Sequence, residues 1–426
     1  VGKSILPLAL VSCVAGAFTG LLVAVFRLSL RRADHWRDAL LAHANGWPVA
    51  GFLFTVVLVA AAASLAAWLV RRFSPFAAGS GIPRVEAVLR GEMRPAPFSL
   101  LPVKFVGGLL AIGGGLALGR EGPSVQMGAN IGMFLGRKLR LSTTDCMALM
   151  AACGGAGIAT AFNAPIAGSV FVLEELVRRF DTRIAIAALG SSCCAIAVAR
   201  LFLGRTPDFQ VGALSFSDVG SGFLFLILGA VAGFLGIAYN RTLLGTISLA
   251  DRIRWPIEMR AAVIGAIVGA VAWFAPDLVG GGDAITQRML STGEGLGTLG
   301  GVLLLRFLLG PLSYAAGTPG GLFAPMLVLG AQLGLLFSAF AAFAFPHIVV
   351  APTAFTVVAM AAFFTAVVRA PVTGIILVIE LTANFTQLMP MLWACFAAMV
   401  VPTLFGNRPI YESLSKPAVQ EERGGE

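Results

Sequence analysis

Apolar residues in this chain run in long unbroken blocks. They follow neither the alternation of a half-buried strand nor the one-sided stripe of a surface helix. Ser4–Phe26, Pro48–Val70, Val219–Asn240 and Leu381–Asn407 contain no Asp, Glu, Lys or Arg. Each is long enough, as a helix, to cross about 30 Å of hydrocarbon. Other blocks are too short to cross. Phe105–Gly119 and Gly122–Gly136 are parted at Glu121, and Phe307–Pro346 is interrupted at Gly310-Pro311 and again at Gly317–Pro325. The pattern predicts an all-α polytopic membrane protein in which several helices stop within the bilayer.

Length alone would suggest two to four soluble domains for 426 residues, at about 100–200 residues each. Composition overrules it: 58% of residues are hydrophobic and 12% charged, against about 45–50% and about 25% in a soluble domain. Too little charge remains to coat a water-facing surface, which excludes a cytosolic enzyme, a coiled coil and a disordered chain. The net charge of +9 raises nucleic acid as a partner. The cations, however, cluster at the ends of apolar runs, at Arg31–Arg32, Arg71–Arg72, Arg137–Lys138–Arg140 and Arg178–Arg179, where membrane proteins place them beside lipid headgroups. No nucleic-acid partner is expected.

Metal and cofactor chemistry finds little support. Cys13, Cys146, Cys153, Cys193, Cys194 and Cys395 lack CxxC spacing and read as small buried hydrophobes; His35, His43 and His347 stand apart. No metal and no cofactor are expected. Gly2-Lys3-Ser4 resembles the end of a phosphate loop without its glycine-rich part and is set aside. The first apolar run exceeds a signal-peptide core, and a start at Val1 rather than Met leaves room for a preceding segment.

Fifty-one Gly and 22 Pro in such a chain imply broken helices at membrane depth. Broken backbone survives there only where protein or a polar cavity satisfies the freed N–H and C=O groups. An internal repeat locates the breaks. Gly119–Gly132 aligns with Gly321–Gly334 at an offset of 202, matching Gly119/Gly321, Pro123/Pro325, Gly128/Gly330, Ala129/Ala331 and Gly132/Gly334. Ala164-Pro165-Ile-Ala-Gly168 with Glu174 aligns with Ala370-Pro371-Val-Thr-Gly374 with Glu380 at an offset of 206. The expected organisation is a first membrane repeat at 1–200, a second at 201–411 and a short polar tail at 412–426. Paired breaks in two halves point to a transport site between them.

Three Gly/Pro elements each precede an apolar helical run: Gly79-Ser80-Gly81-Ile82-Pro83, Gly119-Arg120-Glu121-Gly122-Pro123 and Gly320-Gly321-Leu322-Phe323-Ala324-Pro325. Proline suits a first helical turn. A helix start offers unpaired N–H groups and about half a positive charge, which together attract an anion. Three such starts would hold an anion by partial charges and still release it, as conduction requires. Helix caps and tight packing would explain one such element; three, two of them repeat-related, favour an anion site.

These elements resemble the signature motifs of the CLC chloride channel and transporter family. The likeness extends through Phe162–Glu175 and Arg369–Glu380 to Pro409-Ile410-Tyr411 and covers nearly the whole chain. It implies a CLC-type fold of two inverted-topology repeats with many tilted and broken helices. It also implies a homodimer with one anion pathway per subunit, set among membrane lipid.

The resemblance assigns Glu121 as gate and proton carrier. The physical reading agrees: an ionised carboxylate at an anion-attracting helix start is a tethered anion, and protonation releases it. Pairing with Arg120 is disfavoured, since neighbours along a helix point apart. Glu175 matches the glutamate that relays protons on the internal side of exchangers and that pure channels often lack; a helix-end carboxylate neutralised by Arg178 and Arg179 is the plainer alternative. Glu174 reads as structural, like its repeat partner Glu380. Chloride would be bound by Ser80, Gly81, Ile82, Arg120, Gly122, Leu322, Phe323 and Tyr411. Hydroxyls of Ser80 and Tyr411 donate without adding charge. Serine at position 80 resembles chloride-selective members, whereas nitrate exchangers carry proline. Lys104 and Arg120 would raise the potential along the outer path, with snorkelling to the interface as the plainer alternative for either. Arg84 departs from the acidic residue of many bacterial relatives, and no room is seen for paired cytoplasmic nucleotide-binding modules.

The sequence thus reads as a non-enzymatic, prokaryotic-type exchanger of chloride for protons, multi-pass in the cell inner membrane, with a passive chloride channel as the alternative. An intramembrane serine protease would need a Ser–His pair, and no His lies near any GxS element.

Overall fold

The computed structural model describes residues 5–212, 214, 219–291, 296–348 and 350–416, which fold as helices joined by short connections. The first half carries α1 (Ile5–Ala44), α2 (Pro48–Phe73), α3 (Ile82–Leu89), α4 (Leu100–Gly113), α5 (Glu121–Lys138), α6 (Thr143–Phe162), α7 (Pro165–Phe171) and α8 (Thr182–Leu203). The second carries α9 (Gly222–Arg252), α10 (Ile257–Phe274), α11 (Asp283–Ser291), α12 (Leu296–Tyr314), α13 (Phe323–Ala344), α14 (Pro352–Val368), α15 (Pro371–Thr382) and α16 (Leu388–Leu404), then a helical segment at 410–416. Seven of these, α1, α2, α6, α8, α9, α10 and α13, are long and apolar enough to cross a membrane.

Packing is inside-out relative to a soluble bundle. On α1 the large apolar side chains Leu6, Leu10, Val14, Phe18, Leu21 and Val25 are exposed, while Ser12, Ala15, Gly16, Thr19 and Gly20 are buried. Lipid is as apolar as leucine, so small residues go inward, where they let backbones meet. A Cβ on Gly16 would stand 2.2 Å from the Ser191 carbonyl oxygen, and one on Gly20 2.2 Å from that of Ala195, so α1 lies directly on α8. The repeat-matched glycines share a task. Gly128 and Gly132 seat α5 against Cys153 and Leu149 of α6, and Gly330 and Gly334 seat α13 against Ala359 and Phe355 of α14.

The repeat-matched acids are exchanged between the halves. Glu174, in a π-helical turn at Val172–Leu176 after α7, accepts the N–H groups of Val372 (3.0 Å) and Thr373 (2.6 Å) at the start of α15. Glu380, on α15, accepts those of Ile166 (3.1 Å) and Ala167 (2.8 Å) at the start of α7. Each carboxylate thus caps the other half's helix, as suits negative charge at a helix N-terminus.

Some expectations fail. Gly310-Pro311 does not interrupt α12, which runs through Pro311 to Tyr314; proline's φ suits a helix, and the lost N–H and the crowding of the Phe307 carbonyl by its ring fall within the last turn of α12. Leu381–Asn407 is not one span. Ala383 turns left-handed at φ 50, and the Asn384 carboxamide oxygen accepts the Thr386 N–H at 2.9 Å, a local turn that ends α15 before α16 begins. Three cysteines are buried as expected, but Cys193 is exposed and Cys13 and Cys194 half-exposed on the α1–α8 side. Of the tail at 412–426, residues up to 416 continue the last helical segment. Residues 417–426 and Gly2-Lys3-Ser4 lie outside the described residues.

Candidate functional site

The three Gly/Pro elements open α3, α5 and α13, and the backbone ties them together. Gly119 and Gly321, equivalent in the repeat, exchange both hydrogen bonds at 2.7 Å. Gly79 donates to Thr318 at 3.1 Å and accepts from Gly320 at 3.1 Å. Side chains at the glycine positions would prevent this approach: a Cβ on Gly321 would stand 2.8 Å from the Gly122 nitrogen, and one on Gly122 2.4 Å from Ser80 Oγ. The three helix starts therefore meet at one junction deep in the fold.

None of the three is capped by the side chain of the residue before it. The residues before them, Gly81 (φ 86), Arg120 and Leu322, make no capping bond. Such caps are few among the described helices: Ser142 caps α6 and Asp181 caps α8, while α7 and α15 take theirs from Glu380 and Glu174 across the halves. Orphan N–H groups at a buried helix start need some partner.

Glu121 is fully buried and sits where such a partner belongs. Its Oε2 accepts the Ala324 N–H, in the first turn of α13, at 3.4 Å, and its Oε1 has no partner. The carboxylate folds so closely over Gly119 that a Cβ there would lie 2.0 Å from Oε2. Ser80 Oγ and Tyr411 Oη are also buried without a partner. The Tyr411 ring stacks on Phe323 (centroids 6.2 Å apart), which also meets Phe162, Phe171 and Phe364. Ile82, Leu322 and Phe323 are fully buried at the helix starts. Three buried polar atoms without a partner around one junction are suited to a polar guest.

Two cavities approach from different sides. One of about 700 Å³ reaches Gly119, Arg120 and Glu121; one of about 1240 Å³ reaches Gly79, Gly81 and Arg84. Glu121 lines only the first and Gly81 only the second, so the buried junction separates them.

Arg120 does not point its charge at this junction. Its guanidinium bonds Asp283 at 2.8 Å, Asp208 at 3.4 Å and the Ala161 carbonyl at 3.1 Å. Two carboxylates neutralise it, so its side chain neither pairs with Glu121 nor serves as a free cation for an anion. Asp208 is shared with the buried Arg27, at 2.8 and 2.9 Å. Lys104 does not line the Glu121-side cavity. It is fully buried and donates to the carbonyls of Ala77 (3.0 Å) and Gly79 (2.7 Å), bracing the turn before Ser80.

Glu175 sits apart, in the π-helical turn, nearly fully buried yet lining a cavity of about 540 Å³ with Arg178, Arg179 and Arg369. Its Oε1 accepts from Arg178 at 3.1 Å. The same guanidinium lies 3.8 Å from Glu86 on α3 and 3.8 Å from Glu412, so one cation serves three carboxylates. Arg90 supplements it on Glu86 at 3.3 Å.

Glu86, Asp208, Asp283 and Tyr314 were not singled out from sequence, although each touches this machinery. Glu86 carried a signal, a carboxylate one turn beyond the Ser80 element. Tyr314 carried another: the chain has 31 Phe and 3 Tyr, so a hydroxyl on a ring inside an apolar run is unusual.

Comparison with known proteins places this architecture. Residues 61–403 match the model of the voltage-gated chloride channel family. The chain is 34% identical over 422 residues to the H(+)/Cl(-) exchange transporter ClcA of Citrobacter koseri, covering 97% of this chain and 89% of that protein. It superposes on a slow cyanobacterial Cl-/H+ antiporter with a TM-score of 0.94 at 31% identity, covering 99% of this chain and all of that one. A eukaryotic CLC transporter shares the fold, with a TM-score of 0.81 at 24% identity over 96% of this chain and 74% of its own.

Proposed function

We propose, for a chain that belongs to the voltage-gated chloride channel family, that it is a multi-pass membrane transporter exchanging chloride for protons. No catalysed reaction is involved. The observation that carries this reading is the buried Glu121 carboxylate resting on the first turn of α13, where the physics of helix ends calls for an anion. A carboxylate and a chloride cannot both occupy that place. Ionised, Glu121 fills it; protonated, it loses the attraction and swings away, admitting chloride. One position shared between a proton carrier and the transported anion couples their movements.

Ser80 and Tyr411 supply hydroxyl donors to chloride, and the first-turn backbone of α3 and α13 at Ile82, Leu322 and Phe323 supplies N–H groups. Gly81 and Gly122 give the close approach. Arg120 acts through Asp208 and Asp283, shaping the cavity in front of Glu121. We take that cavity as the outer vestibule and the one beside Gly81 and Arg84 as the inner. Glu175, held by Arg178 beside a third cavity, passes protons between the interior and Glu121. Gradients of chloride and protons drive the cycle without a cofactor.

We place the protein in the cell inner membrane, as suits a relative of bacterial exchangers, and as a homodimer with a pathway in each subunit. The test is proton pumping: protein in liposomes with a chloride gradient and no proton gradient should drive protons uphill. Chloride flux without proton movement would indicate a passive channel instead.

A further inference from the structure

Beyond that pathway reading, on which this inference rests, the inner cavity ends at a side chain given no role above. Tyr314 closes α12, and its phenol oxygen accepts the Ser80 N–H at 3.3 Å. Gly79 makes the approach possible. With φ at +59 it presents no side chain, and a Cβ there would stand 2.9 Å from the phenol oxygen and 3.2 Å from Cζ. The link from α12 is fixed in turn, since Gly79 holds Thr318 and Gly320 through backbone bonds. Tyr314, Gly79 and Gly81 line the 1240 Å³ cavity together with Arg84, Arg252, Arg254 and Arg260, four cations facing one lining acid, Asp251.

An anion gathered by those arginines therefore meets Ser80 with its backbone donor already engaged by an oxygen. We propose that Tyr314 is a tethered competitor for the anion at the inner mouth: its phenol oxygen holds the Ser80 N–H until an entering chloride takes it. Tyr314 is the counterpart, at the other end of the path, of Glu121 on the Ala324 N–H. The two competitors differ in control. Glu121 is dislodged by a proton, whereas a neutral phenol is displaced by the anion alone. Tyr314 thus sets how much internal chloride is needed to load the pathway, as a positioning residue acting through Ser80.

The test is Tyr314→Phe, which keeps the ring and removes the oxygen. One neutral hydrogen bond no longer competing should tighten chloride binding about three- to tenfold, measured by isothermal titration calorimetry on purified protein. In liposomes with sided chloride gradients, the half-saturating internal chloride should fall by the same factor while the external value stays put. A structural role alone would lower the melting temperature and leave both sides equal. Unchanged or weaker chloride binding overturns the proposal, weaker binding because it would make the phenol a ligand. If the wild type binds chloride and pumps protons while the variant matches it, this inference fails alone. A wild type that binds no chloride removes the pathway reading as well.

Discussion

Replacing Glu121 by glutamine removes the charge that competes with chloride and leaves the shape almost unchanged. The Ala324 N–H, where α13 begins, lies 3.4 Å from Glu121 Oε2. Half a unit of positive charge at a helix end and a full negative charge at that distance attract by about 2 kcal/mol in an effective dielectric of about 20. That is about thirtyfold in a competition equilibrium. Removing it should tighten chloride binding by about tenfold or more, the retained amide oxygen taking back part of the gain. Calorimetric titration of the purified variant reads the affinity, and a pH electrode outside chloride-loaded liposomes reads coupling. The sign with pH follows from the same picture. In the wild type, exchange speeds up as pH falls, because the protonated carboxyl vacates its place. In Glu121→Gln, chloride flux is independent of pH and moves no protons. A variant with unchanged chloride affinity, or one that still pumps protons, would refute the reasoning.

Three further outcomes are expected. Glu175→Gln should stop proton movement while chloride flux continues; loss of both in the liposome assay would return Glu175 to a purely structural partner of Arg178. Ser80→Pro removes a hydroxyl and an N–H from the junction and should shift preference from chloride toward nitrate in competing-anion flux, whereas unchanged selectivity would remove Ser80 from the ligand set. Glu174→Gln weakens a carboxylate bonded to the Val372 and Thr373 N–H groups and the Thr373 hydroxyl. Charge-assisted bonds of this kind contribute about 1.5–3 kcal/mol each, so the melting temperature should drop while the exchange ratio stays constant; an altered ratio would place Glu174 in the proton path.

The parts of this site that could be read in advance are those whose physics is local. A glycine-proline helix start and a carboxylate between short apolar runs are each written within a dozen residues, and the repeat shows as short local motifs recurring about 200 residues apart. Glu121, the three helix starts and the pairing of Glu174 with Glu380 were accessible for that reason. The recurrence of Gly119 as Gly321 even foreshadowed that the two meet. Partner choice was not accessible. Arg120 was expected to lend charge to the path, but Asp208 and Asp283, 88 and 163 residues away, absorb it. Lys104 looked like a cation of the outer path and instead braces two carbonyls beneath the Ser80 turn. Tyr314 gained its contact with Ser80 across 234 residues. Helix continuity was misread where one rule was applied without its context. Gly310-Pro311 lies within a helix that continues past it, and Leu381–Asn407 breaks at an asparagine turn that apolar composition conceals.

The central claim, that one carboxylate and the transported halide compete for the same buried helix ends, is tested most directly by anomalous diffraction from crystals grown in bromide. The account predicts bromide beside Ser80 Oγ and Tyr411 Oη in the wild type, and in Glu121→Gln an additional bromide at the Ala324 N–H, where the carboxylate had been. A Glu121→Gln crystal with no bromide at that N–H would contradict it.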